Sequence, residues 1–440
     1  MQLADLIFPH KRAIRDDNQT LFAGRDKILG EAARAISTPS SSLVLFGEAG
    51  IGKTSLGWQL YRLLKGDKGL LDRGYLAESY QPSLDGFVCA WVQCTDRLVN
   101  INGLLLELLR PGRNESSTLN DMCPEAFTAS AHDKLKRAYE LNLGIVKATI
   151  QVERDSADLS KSAHRVGNGI DDQGEILHTF FEFLSDIKKR HKKKSIVIFI
   201  DEFNELPIRA GMGKLIKACN EASFVVIGTA ETIGEIVEDH QSASRKLEGS
   251  KILVPPLDDD EMRQIFGNAA SFQDVRSSDI RLEFSETFLK PVLQNSGGYP
   301  QLAHLFGNYA LSPYQPMQQH AHVIFQEKDF IAAKTRLIEP KSQHDLMQAI
   351  RIGIGQSQNR DLILKALAKM DAGWVMEAEL KRGLSLGAKK GYDNHVQTLE
   401  SVGLVVRDDL GQRIRFRTPI LRLLVAFLDE KPSGVQRRRN

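Results

Sequence analysis

Eight consecutive residues, Gly47-Glu48-Ala49-Gly50-Ile51-Gly52-Lys53-Thr54, fit the spacing G-x-x-x-x-G-K-[ST]. Glycines at these positions let backbone N–H groups turn inward around phosphate oxygens, and a helix starting there adds its positive end. Lys53 supplies an ammonium for the β- and γ-phosphates, and the Thr54 hydroxyl is a hard ligand for Mg²⁺. With Ser55 following, these nine residues are the candidate cofactor-binding set. A second chemical group stands far away in sequence. Ser195-Ile196-Val197-Ile198-Phe199-Ile200-Asp201-Glu202 is an apolar run ending in two carboxylates. Asp201 suits a second contact to the same metal, and Glu202 suits a general base that polarises an attacking water. The chemistry implied is binding and hydrolysis of ATP with Mg²⁺.

Two more residues have types that fit this chemistry and also admit plainer readings. Thr229 follows the buried run 224–227, where it can hold the lytic water or sense the γ-phosphate, or simply cap the next turn. Arg245, in Ser244-Arg245-Lys246, can project into a neighbouring subunit's nucleotide, or be a solvated base at a helix end.

Such groups meet only if the elements between them bring them together. Apolar runs at 43–46, 87–92, 196–200, 224–227 and 251–254 read as buried strands. Helical spacing lies between them, at 56–64 and at Ile176, Leu177, Phe180, Leu184 and Ile187. Strands alternating with helices predict an α/β fold with a parallel sheet covered on both faces. The interval 95–174 is too long for one crossover and reads as an insertion, partly loop, with helical patterns at 104–109 and 135–139. After Pro255-Pro256 the strand signal ends, and 258–266, 283–293, 300–309 and 325–338 are helical by spacing. From 361 the pattern changes to helices at 361–369, 377–381 and 391–401. Two extended runs, 403–407 and 412–417, then flank Asp408-Asp409-Leu410-Gly411. Three helices and a hairpin outline a winged helix.

Composition closes off other classes. The 440 residues are 42% apolar with 58 basic and 56 acidic side chains, enough material for two to four domains and no global excess of charge. No apolar run approaches a membrane span, and residues 1–17 lack the apolar core of a signal peptide. Four cysteines include no CxxC pair, so a reduced, cytoplasmic chain without membrane contact is expected.

Residues 21–338 resemble an AAA+ ATPase, and more narrowly the initiator and STAND-related branch that includes origin-recognition and archaeal ATPases. The resemblance rests on the two motifs above, known there as Walker A and Walker B, on the Gly228-Thr229 strand end, and on the Pro255-Pro256-Leu257 exit into a helical lid. Leu21-Phe22-Ala23-Gly24-Arg25-Asp26 is similar to a box that packs near adenine, which implies a nucleotide-binding role for Arg25. Gly297-Gly298-Tyr299-Pro300 is similar to the Gly-x-Pro element of the lid and implies the same for Pro300. Where many relatives carry a lid arginine, this chain has Tyr299-Pro300-Gln301. The resemblance implies an N-terminal arm (1–20), an ATPase core (21–257), a helical lid (258–340), a winged helix (341–432) and a basic tail (433–440). It also implies assembly with further copies of the chain.

Two outputs stay open. In the first, the switch acts on duplex DNA through the winged helix. Residues 360–440 hold 16 basic and 10 acidic side chains, and Lys389-Lys390 precedes a helix carrying Tyr392, Asn394, His395, Gln397 and Thr398, all able to touch phosphates or base edges. In the second, a STAND-like signalling ATPase uses that module to dock an effector or partner protein, as in bacterial defence or regulation. The basic run 188–194 reads as a solvated helix end, with a polyanion path as its alternative.

Overall fold

A computed structural model describes residues 3–10, 12–38, 40–67, 87–95, 98–109, 118–122, 170–191, 195–229, 234, 247, 249–272, 281–314, 322–339, 343–370, 373–408 and 410–430. Arg245, the helical pattern at 135–139 and the basic tail lie outside the described residues. The chain divides into two compact units, one of residues 25–48 and 53–255, the other of 1–24, 49–52 and 256–440.

The first unit is built on a parallel sheet. β1 (Leu43–Phe46), β2 (Phe87–Gln93), β3 (Ser195–Asp201), β4 (Ala222–Gly228) and β5 (Lys251–Leu253) are ordered β2-β3-β4-β1-β5. Each falls on an apolar run read from the sequence, β1 with the same bounds and the others differing by one or two residues at one or both ends. β3 and β4 are buried along their whole length. Strands covered on both faces must be apolar at every position, which is why these runs do not alternate. α2 (Asp26–Ile36) and α3 (Lys53–Leu64) pack together beside β1, while α4 (Ile101–Leu108) and α5 (Ile170–His191) pack on each other and on β2 and β3. α1 is the short Leu3–Ile7, in the other unit. The helix expected at 56–64 begins at Lys53. Gly52, at φ 93°, ends the loop in a left-handed turn that lets the helix start three residues early. α6 (Met212–Ala218) lies between β3 and β4. Among the described residues no helix is long and apolar enough to cross a membrane.

The second unit corrects one expectation. Strand structure does not end at Pro256: β6 (Arg281–Phe284) and β7 (His322–Phe325) pair in parallel, so the helices expected from 283 and 325 begin only at Glu286 and Glu327. The β6 run, Arg-Leu-Glu-Phe, alternates polar and apolar residues, a period of two, while β7, His-Val-Ile-Phe, alternates only in burial, and Phe284 stacks on Phe325 with ring centroids 4.8 Å apart. Around them pack α7 (Asp259–Ser271), α8 (Glu286–Ser296), α9 (Pro300–Leu311) and α10 (Glu327–Leu337). α7 opens on a capping box, with the Glu261 N–H donating to Asp258 Oδ1 at 2.8 Å and the Asp258 N–H to Glu261 Oε2 at 3.1 Å.

The C-terminal segment holds the three expected helices as α12 (Gln358–Ala368), α13 (Glu377–Arg382) and α15 (Tyr392–Ser401), after α11 (His344–Ile354). α14 (Leu386–Lys389) is a single turn ahead of α15, and α16 (Pro419–Glu430) closes the segment. The expected hairpin is β9 (Val405–Arg407) and β10 (Arg413–Phe416). A short β8 (Val375–Met376), missed because two residues carry no periodicity, makes it a three-stranded antiparallel sheet in the order β8-β10-β9.

Gly298, in the turn between α8 and α9, has φ +80°, and its carbonyl accepts the Leu257 N–H at 2.8 Å. A Cβ there would stand 2.5 Å from the Leu257 carbonyl oxygen. Left-handed backbone alone costs a side chain about 1–2 kcal/mol, and this neighbour is backbone that cannot swing away. Gly298→Ala is therefore expected to lose about 2 kcal/mol or more of stability. Equilibrium denaturation measures it, and an unchanged midpoint would contradict this account of the turn.

Candidate functional site

The parallel sheet brings the chemical groups of the sequence to one edge. Phe46 lies opposite Gly228 and Ile200 opposite Val226, so the loop after β1, Asp201 at the end of β3 and Thr229 after β4 all leave the sheet at its carboxyl end. Ligands of open α/β sheets bind outside that end. There the Thr54 hydroxyl donates to Asp201 Oδ1 at 3.1 Å, joining residues 147 positions apart. The backbone N–H of Glu202 donates to the same Oδ1 at 3.0 Å, which fixes the carboxylate.

Lys53 is largely buried, and its ammonium donates to the carbonyls of Gly47 at 3.0 Å and Glu48 at 2.8 Å. Burial lowers its pKa from the usual lysine range, against the opposing pull of the Glu202, Asp201 and Glu48 carboxylates. The two carboxylates of the β3 tip are thus electrostatic neighbours of the loop lysine.

A hydroxyl and a carboxylate 3.1 Å apart suit Mg²⁺, which uses one or two protein oxygens and completes its shell with water and phosphate. The chemistry of this donor pair therefore fits the metal the sequence implies.

Glu202 carries a feature that no sequence pattern announced. Its backbone is left-handed, at φ 52° and ψ 42°, and it leads into the 3-10 turn Phe203–Glu205. Such a backbone is uncommon for a residue other than glycine, and strain of this kind clusters at sites where it aims a side chain. Cys94, also missed, follows β2 and donates its N–H to the Asp201 carbonyl at 2.8 Å. Burial, with Asp201 and Glu202 adding to it, pushes its thiol up to about 12, so it lines the site as a neutral group.

The remaining candidates are less tightly grouped. Arg25 is buried at the start of α2 in a left-handed conformation, its carbonyl accepting the Leu29 N–H at 2.8 Å. Ser55 lies in the first turn of α3, and Glu48 precedes the loop tip. The tip, Ala49, Gly50, Ile51 and Gly52, belongs to the unit that contains Pro300, which opens α9. There the Gln301 N–H donates to the Gly50 carbonyl at 3.4 Å, and a Cβ on Gly52 would lie 3.7 Å from Pro300 Cγ.

In the C-terminal segment, Tyr392 is buried beneath the Lys381 ammonium, 4.2 Å from its ring centroid, and so is a packing anchor rather than a surface contact. His395 faces Asn359 Nδ2 at 3.4 Å. Asn394 and Gln397 stay exposed. The acids of α15 are tied internally: Arg407 meets Asp393 at 3.1 Å and its N–H donates to Glu400 at 3.1 Å, while its guanidinium also meets Glu377 of α13 at 2.6 Å. In the basic run, Lys188 meets Glu221 at 2.8 Å and Lys189 lies 3.6 Å from Asp186, as a solvated helix end would.

No protein-family model matches the chain, and no curated protein matches it. Among solved structures, the chain is similar to the Aeropyrum pernix ORC2 protein (13% identity, 96% of each chain covered, TM-score 0.46). It is also similar to Cdc6p from Pyrobaculum aerophilum (12%, 95% of this chain and 98% of that one, TM-score 0.41). A third is the Thermotoga maritima RuvB Holliday junction branch migration motor (12%, 92% and 95%, TM-score 0.38). These likenesses are weak in shape and in sequence, and the site geometry stands without them.

Proposed function

We propose that the chain is an ATP-binding and ATP-hydrolysing switch of the AAA+ type, which assembles with further copies and acts on duplex DNA through a C-terminal winged helix. The observation that carries the ATPase reading is the meeting of Thr54, Asp201, Glu202 and Lys53 at the carboxyl end of the sheet. Loop N–H groups and the start of α3 receive the phosphates, and the Lys53 ammonium offsets their charge. Thr54 and Asp201 would hold Mg²⁺, which when bound neutralises charge on the phosphate oxygens. Glu202 takes the proton of the attacking water at its carboxylate, and Thr229 orients that water. In this reading Arg25 and Pro300 border the nucleotide and Arg245 serves a neighbouring subunit.

The DNA part of the reading is supported by the C-terminal segment. Lys389 and Lys390 are exposed at the end of α14, directly before α15, whose own acids are engaged by Arg407 and Lys381.

Lys53→Ala tests the loop. Removing the only ammonium that the motif offers to the β- and γ-phosphates is expected to weaken ATP binding by at least tenfold, the equivalent of about 1.4 kcal/mol. Titration with a fluorescent ATP analogue reads it, and parent-like affinity would refute the assignment of the loop.

A further inference from the structure

The segment that replaces the relatives' lid arginine, Tyr299-Pro300-Gln301, is met by the C-terminal hairpin. Tyr299 is buried just before the first turn of α9, and its hydroxyl accepts a hydrogen bond from Arg415 Nη1 at 2.9 Å. Arg415 lies on β10, with its guanidinium carbon 4.5 Å from the ring centroid of Trp374. Arg413, two residues before it, stands 5.8 Å from the same ring. The guanidinium is therefore wedged between a phenol and an indole. Burial brings its pKa down to about 10, and it stays cationic at neutral pH.

Mechanically, the turn around Tyr299 is held on both sides. Gly297 and Gly298 precede it at φ 58° and 80°, with the Gly298 carbonyl held by the Leu257 N–H at 2.8 Å and the Tyr299 N–H held by the Ser296 carbonyl at 3.0 Å. Pro300 follows with its fixed φ, so a displacement of residues 300–301 passes to Tyr299 instead of being absorbed. Within the same unit, the next residue, Gln301, donates its N–H to Gly50 at the tip of the phosphate loop, and its side chain lies against Gly50. A hydrogen bond tolerates only a few tenths of an ångström before weakening, so a small shift of the loop tip reaches Arg415 as a made or broken bond.

We propose that Arg415 is a positioning residue that, through Tyr299, makes the β9–β10 hairpin respond to nucleotide at the phosphate loop. This rests on the ATP reading above. It adds a route by which nucleotide state reaches the module assigned to DNA, through a residue pair that neither motif contains. Packing alone does not call for it, since phenylalanine at 299 would fill the same space.

Hydrogen exchange of the full chain, with and without magnesium and a non-hydrolysable ATP analogue, tests the route. In the parent chain, nucleotide is expected to change exchange in residues 47–55 and in residues 404–416. Tyr299→Phe, which deletes one oxygen and keeps the ring, should preserve the loop response and shrink the hairpin response about fivefold or more. Arg415→Gln should do the same. A hairpin response of parent size in Tyr299→Phe overturns the relay, as does a parent chain whose loop responds while its hairpin does not. If the parent loop itself shows no response, the nucleotide reading fails first and the relay with it.

Discussion

Glu202→Gln is expected to bind ATP as the parent chain does and to hydrolyse it about 10²–10⁴-fold more slowly. The substitution keeps the side chain's length and shape. It leaves the backbone cost unchanged, because glutamine is no more at ease than glutamate at φ 52°. What disappears is the carboxylate that accepts the water's proton. Asp201, held by the Thr54 hydroxyl and the Glu202 N–H, keeps both of those bonds, so the metal pair survives. Lys53 loses one neighbouring negative charge, which lowers its pKa further, but a bound triphosphate supplies that charge again. Binding and turnover should therefore separate cleanly: nucleotide affinity within a few-fold of the parent, phosphate release collapsed. Phosphate release at the parent rate would remove Glu202 from the role of base and leave β3 as a structural strand with a polar tip.

The site was largely legible because its chemistry is written in contiguous strings. Lys53 and Thr54 sit on one string and Asp201 and Glu202 on another, and the buried strands that carry them have no alternative pattern. What the sequence withheld was local backbone and tertiary pairing. The left-handed Glu202 has no compositional mark, and the place of Cys94 beside Asp201 depends on how far β2 runs alongside β3. In the second unit, runs such as 281–284 are too short for a period of two to outweigh the helical spacing that follows, so two strands were absorbed into helices. Tyr392 shows the same limit: its type suits DNA, but only the fold reveals that its ring is covered. Arg415 and Tyr299 are 116 residues apart and belong to no motif, so only the folded chain pairs them.

Reversing Lys389 and Lys390 to glutamate together is expected to weaken binding to every duplex sequence alike and to flatten the salt dependence by roughly two units. Several basic side chains of residues 360–440 are paired with acids inside the segment. Arg407 is engaged by Glu377, Asp393 and Glu400, Arg413 by Asp408, and Lys365 and Lys369 by Asp429. Lys389 and Lys390 instead stand exposed where α14 ends, one residue before the N-cap-to-helix transition of α15. That is where a helix entering a major groove meets the flanking phosphates. Each phosphate contact releases condensed counterion, so log affinity against log salt reports the contact count at about 0.9 per contact. ATP hydrolysis without DNA should be unaffected, because Lys53, Thr54, Asp201 and Glu202 all belong to the other unit. A salt series on a random duplex with parent and double variant decides the matter. Equal slopes and equal affinities would take α15 out of DNA contact and transfer the C-terminal segment to the docking of a partner protein, the output of a signalling ATPase.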